Sequence, residues 1–134
     1  MEETLLDTDI LSYFLKGSEK VTDRVKEYLK HFSTLTFSSI TYYEVLAGLE
    51  YKNAKTQKDR FKDFSENCNI INIESESIFK SARIYGELRR KGITIGTSDL
   101  LIAGIAIKHD LVLATNNLGH FSQIEELKIH DWKE

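Results

Sequence analysis

The chain has 134 residues, of which 18 are Lys or Arg and 21 are Asp or Glu, and its formal net charge is −3 at neutral pH. This length and a hydrophobic content of 41% predict one globular domain over residues 1–134 and exclude a disordered or low-complexity chain. The single cysteine excludes an internal disulfide framework and a cysteine-built zinc or iron–sulfur site. By itself, the negative total charge argues against a polyanionic partner.

Short apolar segments alternate with longer stretches of helical spacing along the whole chain. In chain order, the predicted elements are strand Thr4–Leu6, helices 9–16 and 18–32, strand Leu35–Ser38, helices Ile40–Tyr51 and Lys55–Glu66, strand Asn69–Ile73, helices Ser75–Lys91 and Thr97–Lys108, strand Leu111–Ala114 and a short edge strand Lys128–His130. Strands separated by helices favour right-handed βαβ units. The predicted fold class is therefore α/β, a three-layer α/β/α sandwich with a short, mainly parallel central sheet.

No targeting or membrane-spanning segment is predicted. Residues Met1–Thr4 lack the basic and apolar regions of a signal peptide. The longest uncharged apolar run, Leu100–Ile107, is far shorter than the ~20 residues that cross a bilayer. We expect a cytosolic protein.

Acidic residues stand where an open parallel sheet places its ligands, beyond the carboxyl ends of the strands. Asp7 closes the first predicted strand, although an Asp there also serves as a helix N-cap. Glu44 shares a helix face with Ile40 and Gly48, which predicts a buried carboxylate that needs a basic side chain or a metal as partner. The alternative is a different helix register that leaves Glu44 in solvent.

Asp99 lies in the first turn of a helix whose continuation, Leu100–Ile107, has no polar side chain and is expected in the core. One interpretation is structural, since an acid in the first turn complements the helix dipole. The other is functional, in which the flexible segment with Gly92 and Gly96 allows Asp99 to face a cleft. In the loop after the fourth strand, Thr115 and Asn117 offer hydrogen bonds to a water, a phosphate or a carboxylate. Ordinary turn chemistry accounts for them equally well.

Asp7, Glu44 and Asp99 follow separate elements that should converge at one edge of the sheet. Carboxylates that share a small volume repel one another, and their pKa values rise unless a cation is present. Mg²⁺ and Mn²⁺ take oxygen ligands and keep several waters for a substrate. Such a site suits metal-assisted hydrolysis of a phosphodiester by an activated water.

At these residues the chain resembles the PIN-domain ribonucleases, and among them the VapC toxins of toxin–antitoxin modules. The resemblance covers nearly the whole chain, and its four main motifs stand in the family's order. They are Leu5–Leu11 (LLDTDIL), Ser38–Gly48 (SSITYYEVLAG), Ile95–Ala103 (IGTSDLLIA) and Ala114–Asn117 (ATNN), with His130–Trp132 (HDW) near the end.

The resemblance implies a metal-dependent endoribonuclease that uses Mg²⁺, with Mn²⁺ as a substitute, and cuts structured RNA such as tRNA. It implies Asp7, Asp99 and Glu44 as metal ligands, and Thr115 as a supporting hydroxyl. Asn117 stands where many relatives carry a fourth acid, which puts a second metal in doubt. It also implies a homodimer that is silenced by a cognate antitoxin protein reaching the acidic cleft. We assign no role to His120, which we expect to be an exposed loop residue.

The basic residues are concentrated in two segments, 52–62 and 80–91, each with five basic residues and one acidic residue. Both read as solvated helix faces unless they border the cleft, where they would contact RNA phosphates. Arg89, Arg90 and Lys91, the closest to Asp99 in sequence, are the preferred RNA-binding candidates. The distribution of charge is therefore compatible with an RNA partner although the total charge is negative.

Two other functions stay open at this point. The first is a catalytically inert module that kept the PIN fold and acts by binding antitoxin or RNA. The second is a haloacid-dehalogenase-like phosphatase, suggested by Asp7-Thr8-Asp9 after an apolar strand, although the lysine and acidic pair of those enzymes are not evident. An aspartyl-phosphate receiver domain is weaker still, because strand 3 ends in Asn72-Ile73-Glu74 without the Asp that accepts the phosphoryl group.

Overall fold

The computed structural model describes all residues from Met1 to Glu134 and contains one five-stranded sheet. The strand order is β3-β2-β1-β4-β5, and every neighbouring pair is parallel. The strands are β1 (Thr4–Leu6), β2 (Thr36–Ser38), β3 (Asn69–Ile71), β4 (Val112–Ala114) and β5 (Ile129–His130). From β1 the chain order runs outward in both directions, so the order reverses between β1 and β4. The carboxyl ends of these two strands are where a ligand site is expected.

Seven helices cover the two faces of the sheet. They are α1 (Thr8–Leu15), α2 (Glu19–Tyr28), α3 (Ser39–Tyr51), α4 (Lys55–Glu66), α5 (Ser75–Arg90), α6 (Thr97–Lys108) and α7 (Leu118–Phe121). One buried cluster joins the sheet to α5 and α6 through residues such as Leu5 and Ile102, and another joins it to α1–α4 through residues such as Leu6 and Phe37. The predicted three-layer α/β/α sandwich is confirmed, and the sheet is parallel throughout.

Several predicted bounds differ from the structure. Helix 18–32 is shorter, because the α-helical segment ends at Tyr28 and the next residues turn toward β2. Strand 3 ends at Ile71 instead of Ile73, because the Ile73 N–H donates to Ser39 Oγ (3.1 Å) and not to a neighbouring strand. Helix α7 was expected to be a loop.

Helices α5 and α6 approach each other closely at Gly104. The Ser81 hydroxyl donates to Leu100 O (2.7 Å) and to Ser77 O (3.0 Å) directly beside this glycine. A Cβ atom built on Gly104 would lie 2.0 Å from Ser81 Oγ and 2.5 Å from Ser77 O, so only glycine fits. This contact fixes α6, and with it the first turn that carries Asp99.

None of the seven helices combines the length and the apolar composition that crossing a bilayer would require.

Candidate active site

Asp7 stands at the junction of β1 and β4, where the strand order reverses. Its backbone N–H donates to Ala114 O (2.9 Å), which continues the pairing of β1 with β4 by one residue. Its carboxylate caps α1, with Oδ1 accepting from the Thr8 N–H (2.8 Å). Its Oδ2 accepts from the Thr115 hydroxyl (2.8 Å), the first side chain after β4. Asp7 therefore both caps α1 and lies at the edge of the sheet, so the two interpretations of this residue are compatible.

The carboxyl group of Asp7 is almost fully buried, with 4% of the residue exposed. Its pKa is raised from the ordinary 3.8 to about 7, mainly by burial and also by the charges of Asp9 and Asp99, while the hydrogen bonds from Thr115 and Thr8 act in the opposite direction. No ion pair of the chain includes Asp7, Asp9 or Glu44. A buried acid among other acids, with no basic partner, is the environment that a cation stabilises.

Glu44 lies on α3 and is joined to the first strand's end through Thr8. The Thr8 hydroxyl donates to Glu44 Oε1 (2.6 Å) and lies 3.0 Å from the Thr41 hydroxyl. Glu44 is half-buried between the buried Thr41 and Val45, and of the predicted stripe Ile40 packs partly buried against the core whereas Gly48 is exposed. Of the two partners predicted for Glu44, a basic side chain or a metal, no basic side chain forms an ion pair with it, and the Thr8 hydroxyl donates to it.

Asp99 meets two side chains from the segment after β4. Its Oδ2 lies 3.1 Å from His120 Nδ1 and 3.4 Å from Asn117 Nδ2, and these two nitrogen atoms are 2.9 Å apart. The Asn117 N–H donates to Thr115 Oγ1 (3.0 Å), which ties this group to Asp7. His120 is exposed, as expected, but it lies in the one-turn helix α7 and contacts Asp99. Helix α7 forms one turn, and that turn brings residues 117 and 120 together on the Asp99 side.

Two further acids, Asp9 and Asp131, contact Asn116 in the loop after β4, and no role was assigned to them from the sequence. Asp9 accepts from the backbone N–H groups of Asn116 (3.0 Å) and Ile10 (2.7 Å), and burial raises its pKa. Asp131 accepts from Asn116 Nδ2 through both oxygens (3.2 and 3.3 Å). The signals in the sequence were the Asp7-Thr8-Asp9 spacing and the acid in His130-Asp131-Trp132. Both acids orient the loop after β4.

A continuous series of hydrogen bonds therefore connects the five predicted catalytic residues. It runs from Glu44 through Thr8 to Asp7, and then through Thr115 and Asn117 to Asp99. No three His, Cys, Asp or Glu side chains are grouped closely enough to hold a metal ion by themselves. The donors are mostly carboxylate and hydroxyl oxygens, which fit a hard divalent cation that retains water ligands.

A cleft with a basic rim opens beside Glu44, between α1, α3 and α4. Its volume is about 460 Å³, its floor includes Val45 and Phe61, and its wall includes Thr8. Three cations border it, each contributed by a different segment: Lys16, Lys52 and Arg60. In the sequence, Lys52 and Arg60 belong to the basic segment 52–62. Lys16 was not predicted, because no other basic residue lies next to it in the chain.

The preferred RNA-binding candidates lie elsewhere, at the end of α5. Arg89, Arg90 and Lys91 are all exposed. An Arg89 guanidinium nitrogen donates to Thr94 Oγ1 (3.1 Å), in the connection that leads to α6. None of the three hydrogen-bonds to Asp7, Glu44 or Asp99.

Comparison with known proteins identifies the family. The model of the PIN domain matches residues 4–127. The chain is 32% identical to Ribonuclease VapC2 of Rickettsia felis, over 96% of each chain. It is 30% identical to the tRNA(fMet)-specific endonuclease VapC of Salmonella typhimurium, over 98% of this chain and 99% of that one.

Solved structures agree with this result. VapBC2 from Rickettsia felis, bound to a DNA fragment from its promoter, matches with a TM-score of 0.88 and 29% identity, over 96% of this chain and 98% of that one. DNA-bound VapBC from Salmonella typhimurium matches with a TM-score of 0.88 and 30% identity, over 98% and 99%. The chain therefore belongs to the PIN-domain family and, within it, to the VapC ribonucleases.

Proposed function

We propose that this chain is the endoribonuclease toxin of a type II toxin–antitoxin system and that it hydrolyses RNA phosphodiester bonds with the help of Mg²⁺ or Mn²⁺. The observation that carries this proposal is the carboxyl group of Asp7, which is buried, lies near other acids and has no basic partner. A divalent cation would neutralise these acids and at the same time offer a place for a phosphate. The PIN family membership leaves no support for the haloacid-dehalogenase-like phosphatase.

The metal would be held by Asp7 and Asp99, with Glu44 as a direct or water-mediated ligand. When bound, it would lower the pKa of a bound water and neutralise charge on the phosphate. Thr8 and Thr115 hold the two oxygens of Asp7 in fixed directions, 2.8 Å from their donors. Asn117 brings no negative charge, and we therefore propose one metal rather than two.

The chain's own residues would then position the attacking water. Glu44 has one oxygen fixed by Thr8, and its other oxygen is available to accept a proton from that water. Attack by the water oxygen in line with the leaving 3′-oxygen forms one P–O bond and breaks the other. The leaving oxygen takes a proton, and the products carry a 5′-phosphate and a 3′-hydroxyl.

The RNA backbone would follow the basic rim of the cleft toward the acids. Lys16, Lys52 and Arg60 border a cavity that also contacts Thr8 and Glu44, so a phosphate held there is next to the proposed site. Arg89, Arg90 and Lys91 would contact a more distant part of a structured substrate. The Salmonella typhimurium relative is named as a tRNA(fMet)-specific endonuclease, and we propose tRNA as the substrate class.

The proposed protein partners are a cognate antitoxin and a second copy of the chain. The Rickettsia felis and Salmonella typhimurium structures are VapBC complexes, which supports the antitoxin. A homodimer is supported by the exposed apolar side chains of Ile78, Phe79 and Tyr85 on α5. Like its RNA substrate, the toxin would act in the cytoplasm.

The decisive experiment compares the wild type with Asp99→Asn and Asp7→Ala, using a panel of purified tRNAs with Mg²⁺ or Mn²⁺. Both variants should lose cleavage while keeping a native circular-dichroism spectrum. Asp23→Asn, an exposed acid on α2, is the matched control and should keep full activity. Retained cleavage by well-folded Asp99→Asn would falsify the proposed site.

A catalytically inert PIN module is separated from this proposal by metal binding. The proposed enzyme should gain thermal stability when Mn²⁺ is added, and Asp7→Ala should lose that gain. An inert module with no metal site should show no gain in either protein. This measurement does not depend on RNA cleavage, so contaminating nucleases do not affect it.

A further inference from the structure

His120 contributes a nitrogen atom to the acidic site at the distance expected between two ligands of one metal ion. Its Nδ1 lies 3.1 Å from Asp99 Oδ2. Two donors on adjacent corners of an octahedron with bonds near 2.1 Å lie about 3.0 Å apart. The two side chains come from α6 and α7, and the site residue Asn117 contacts both.

The Nδ1 atom of His120 contacts both a side-chain amide and a carboxylate. Asn117 Nδ2 lies 2.9 Å from His120 Nδ1 and 3.4 Å from Asp99 Oδ2, and an amide nitrogen only donates. With the amide in this orientation, Nδ1 accepts from Asn117 in the tautomer that carries the imidazole proton on Nε2. Two acceptors, one nitrogen and one carboxylate oxygen, therefore face each other and share a single amide donor. A cation would satisfy both more strongly than the amide does.

We propose that His120 is a nitrogen ligand of the metal site and that it shifts the preference of the site from Mg²⁺ toward Mn²⁺. The inference rests on the proposed function, since it deepens the description of that same site. Mg²⁺ strongly favours oxygen donors, whereas first-row transition metals also accept imidazole. Replacing one oxygen donor with an imidazole therefore weakens Mg²⁺ binding more than Mn²⁺ binding.

The alternative is that His120 only forms an exposed ion pair with Asp99. The His120 side chain is 52% exposed and that of Asp99 is 25% exposed, and exposed pairs contribute little to stability. In that case His120 would not change which metal binds. The two roles therefore differ in an observable other than activity.

The experiment is pulsed electron paramagnetic resonance of the full-length protein loaded with one equivalent of Mn²⁺ at a fixed pH of 7.5. The wild type should show ¹⁴N modulation from a directly bound imidazole, and His120→Gln should lose it. His109→Gln, a histidine that pairs with Glu74, is the matched control and should keep it. Bound Mn²⁺ without ¹⁴N modulation in the wild type would overturn the inference.

Calorimetric titrations with Mn²⁺ and with Mg²⁺ give a second, independent readout. His120→Gln should weaken Mn²⁺ binding by about tenfold or more, a change typical of lost support at a metal site. His120→Asp should bind both ions, with a lower ratio of Mn²⁺ to Mg²⁺ affinity than the wild type, and an unchanged ratio would contradict the proposal. Failure of the wild type to bind any divalent ion would instead refute the proposed function, so the two failures are distinguishable.

Discussion

Replacing Asp7 with Asn should stabilise the metal-free protein at pH 8 while abolishing RNA cleavage. The substitution removes a buried negative charge and keeps the shape of the side chain. The Oδ1 atom of Asn can still accept from the Thr8 N–H, so the cap on α1 remains. The Oδ2 atom becomes an amide nitrogen, which cannot accept from the Thr115 hydroxyl.

The size of the effect follows from the pKa of Asp7. A rise from 3.8 to about 7 in the folded state corresponds to about 4 kcal/mol of lost stability once the group is ionised. In the variant, the Thr115 hydroxyl proton has no acceptor, while Thr115 Oγ1 still accepts from the Asn117 N–H. Leaving this buried donor without a partner costs about 1–3 kcal/mol of stability. The variant should therefore be more stable than the wild type by about 1–3 kcal/mol at pH 8.

The sign of the pH dependence is the reverse of that for a salt-bridged Asp. The folded state binds the Asp7 proton more tightly than the unfolded state does, because the folded pKa is the higher one. The stability from this proton is fully present below the unfolded pKa of 3.8 and is lost as the pH rises to about 7. The advantage of Asp7→Asn should therefore grow between pH 4 and 7 and be constant above that range.

Urea denaturation followed by circular dichroism in EDTA, at pH 5 and at pH 8, measures this difference. Asp23→Asn serves as the control, since it removes an exposed charge on α2. The reasoning is refuted if Asp7→Asn is less stable than the wild type at pH 8. It is also refuted if the difference between the two proteins is the same at both pH values.

Three further predictions concern packing, RNA binding and thiol reactivity. Gly104→Ala should lose about 2 kcal/mol or more in urea denaturation because its Cβ would overlap atoms of α5, whereas Gly48→Ala, with open space around it, should be neutral or stabilising. Combined Lys52→Glu and Arg60→Glu should raise the KM for tRNA and reduce its dependence on salt, with kcat at saturation changed less; an unchanged salt slope would exclude the cleft as the RNA path. Burial raises the pKa of Cys68 to about 11, so iodoacetamide at pH 8 should label the native protein far more slowly than the urea-unfolded protein, as mass spectrometry would show.

The sequence was most informative about elements with a long, regular pattern. Helices Lys55–Glu66 and Thr97–Lys108 have the predicted bounds, and the second was marked by the continuous apolar run Leu100–Ile107 after a polar first turn. The site residues at strand ends were also found, because a parallel sheet brings such positions to one edge. Asp7 and Thr115 are bonded directly, although 108 residues separate them.

Features that depend on one turn or on distant segments were not found. Helix α7 has only four residues, too few to show a helical period in the sequence. The contact of His120 with Asp99 could therefore not be predicted. Lys16 joins Lys52 and Arg60 only through the packing of three helices. The burial of Thr41, a polar residue of α3, was not predicted, because it depends on a contact with Thr8, 33 residues earlier in the chain.

The pairing of β1 with β4 also determines when during synthesis the site can exist. The ribosome adds Asp7 108 residues before its partner Thr115. Until β4 emerges and pairs with β1, the loop that supplies Asn117 and His120 has no fixed position relative to Asp99. A nascent chain would therefore be harmless to the ribosome that makes it and to nearby RNA, because the site forms only after β4 and the segment that follows it have been synthesised.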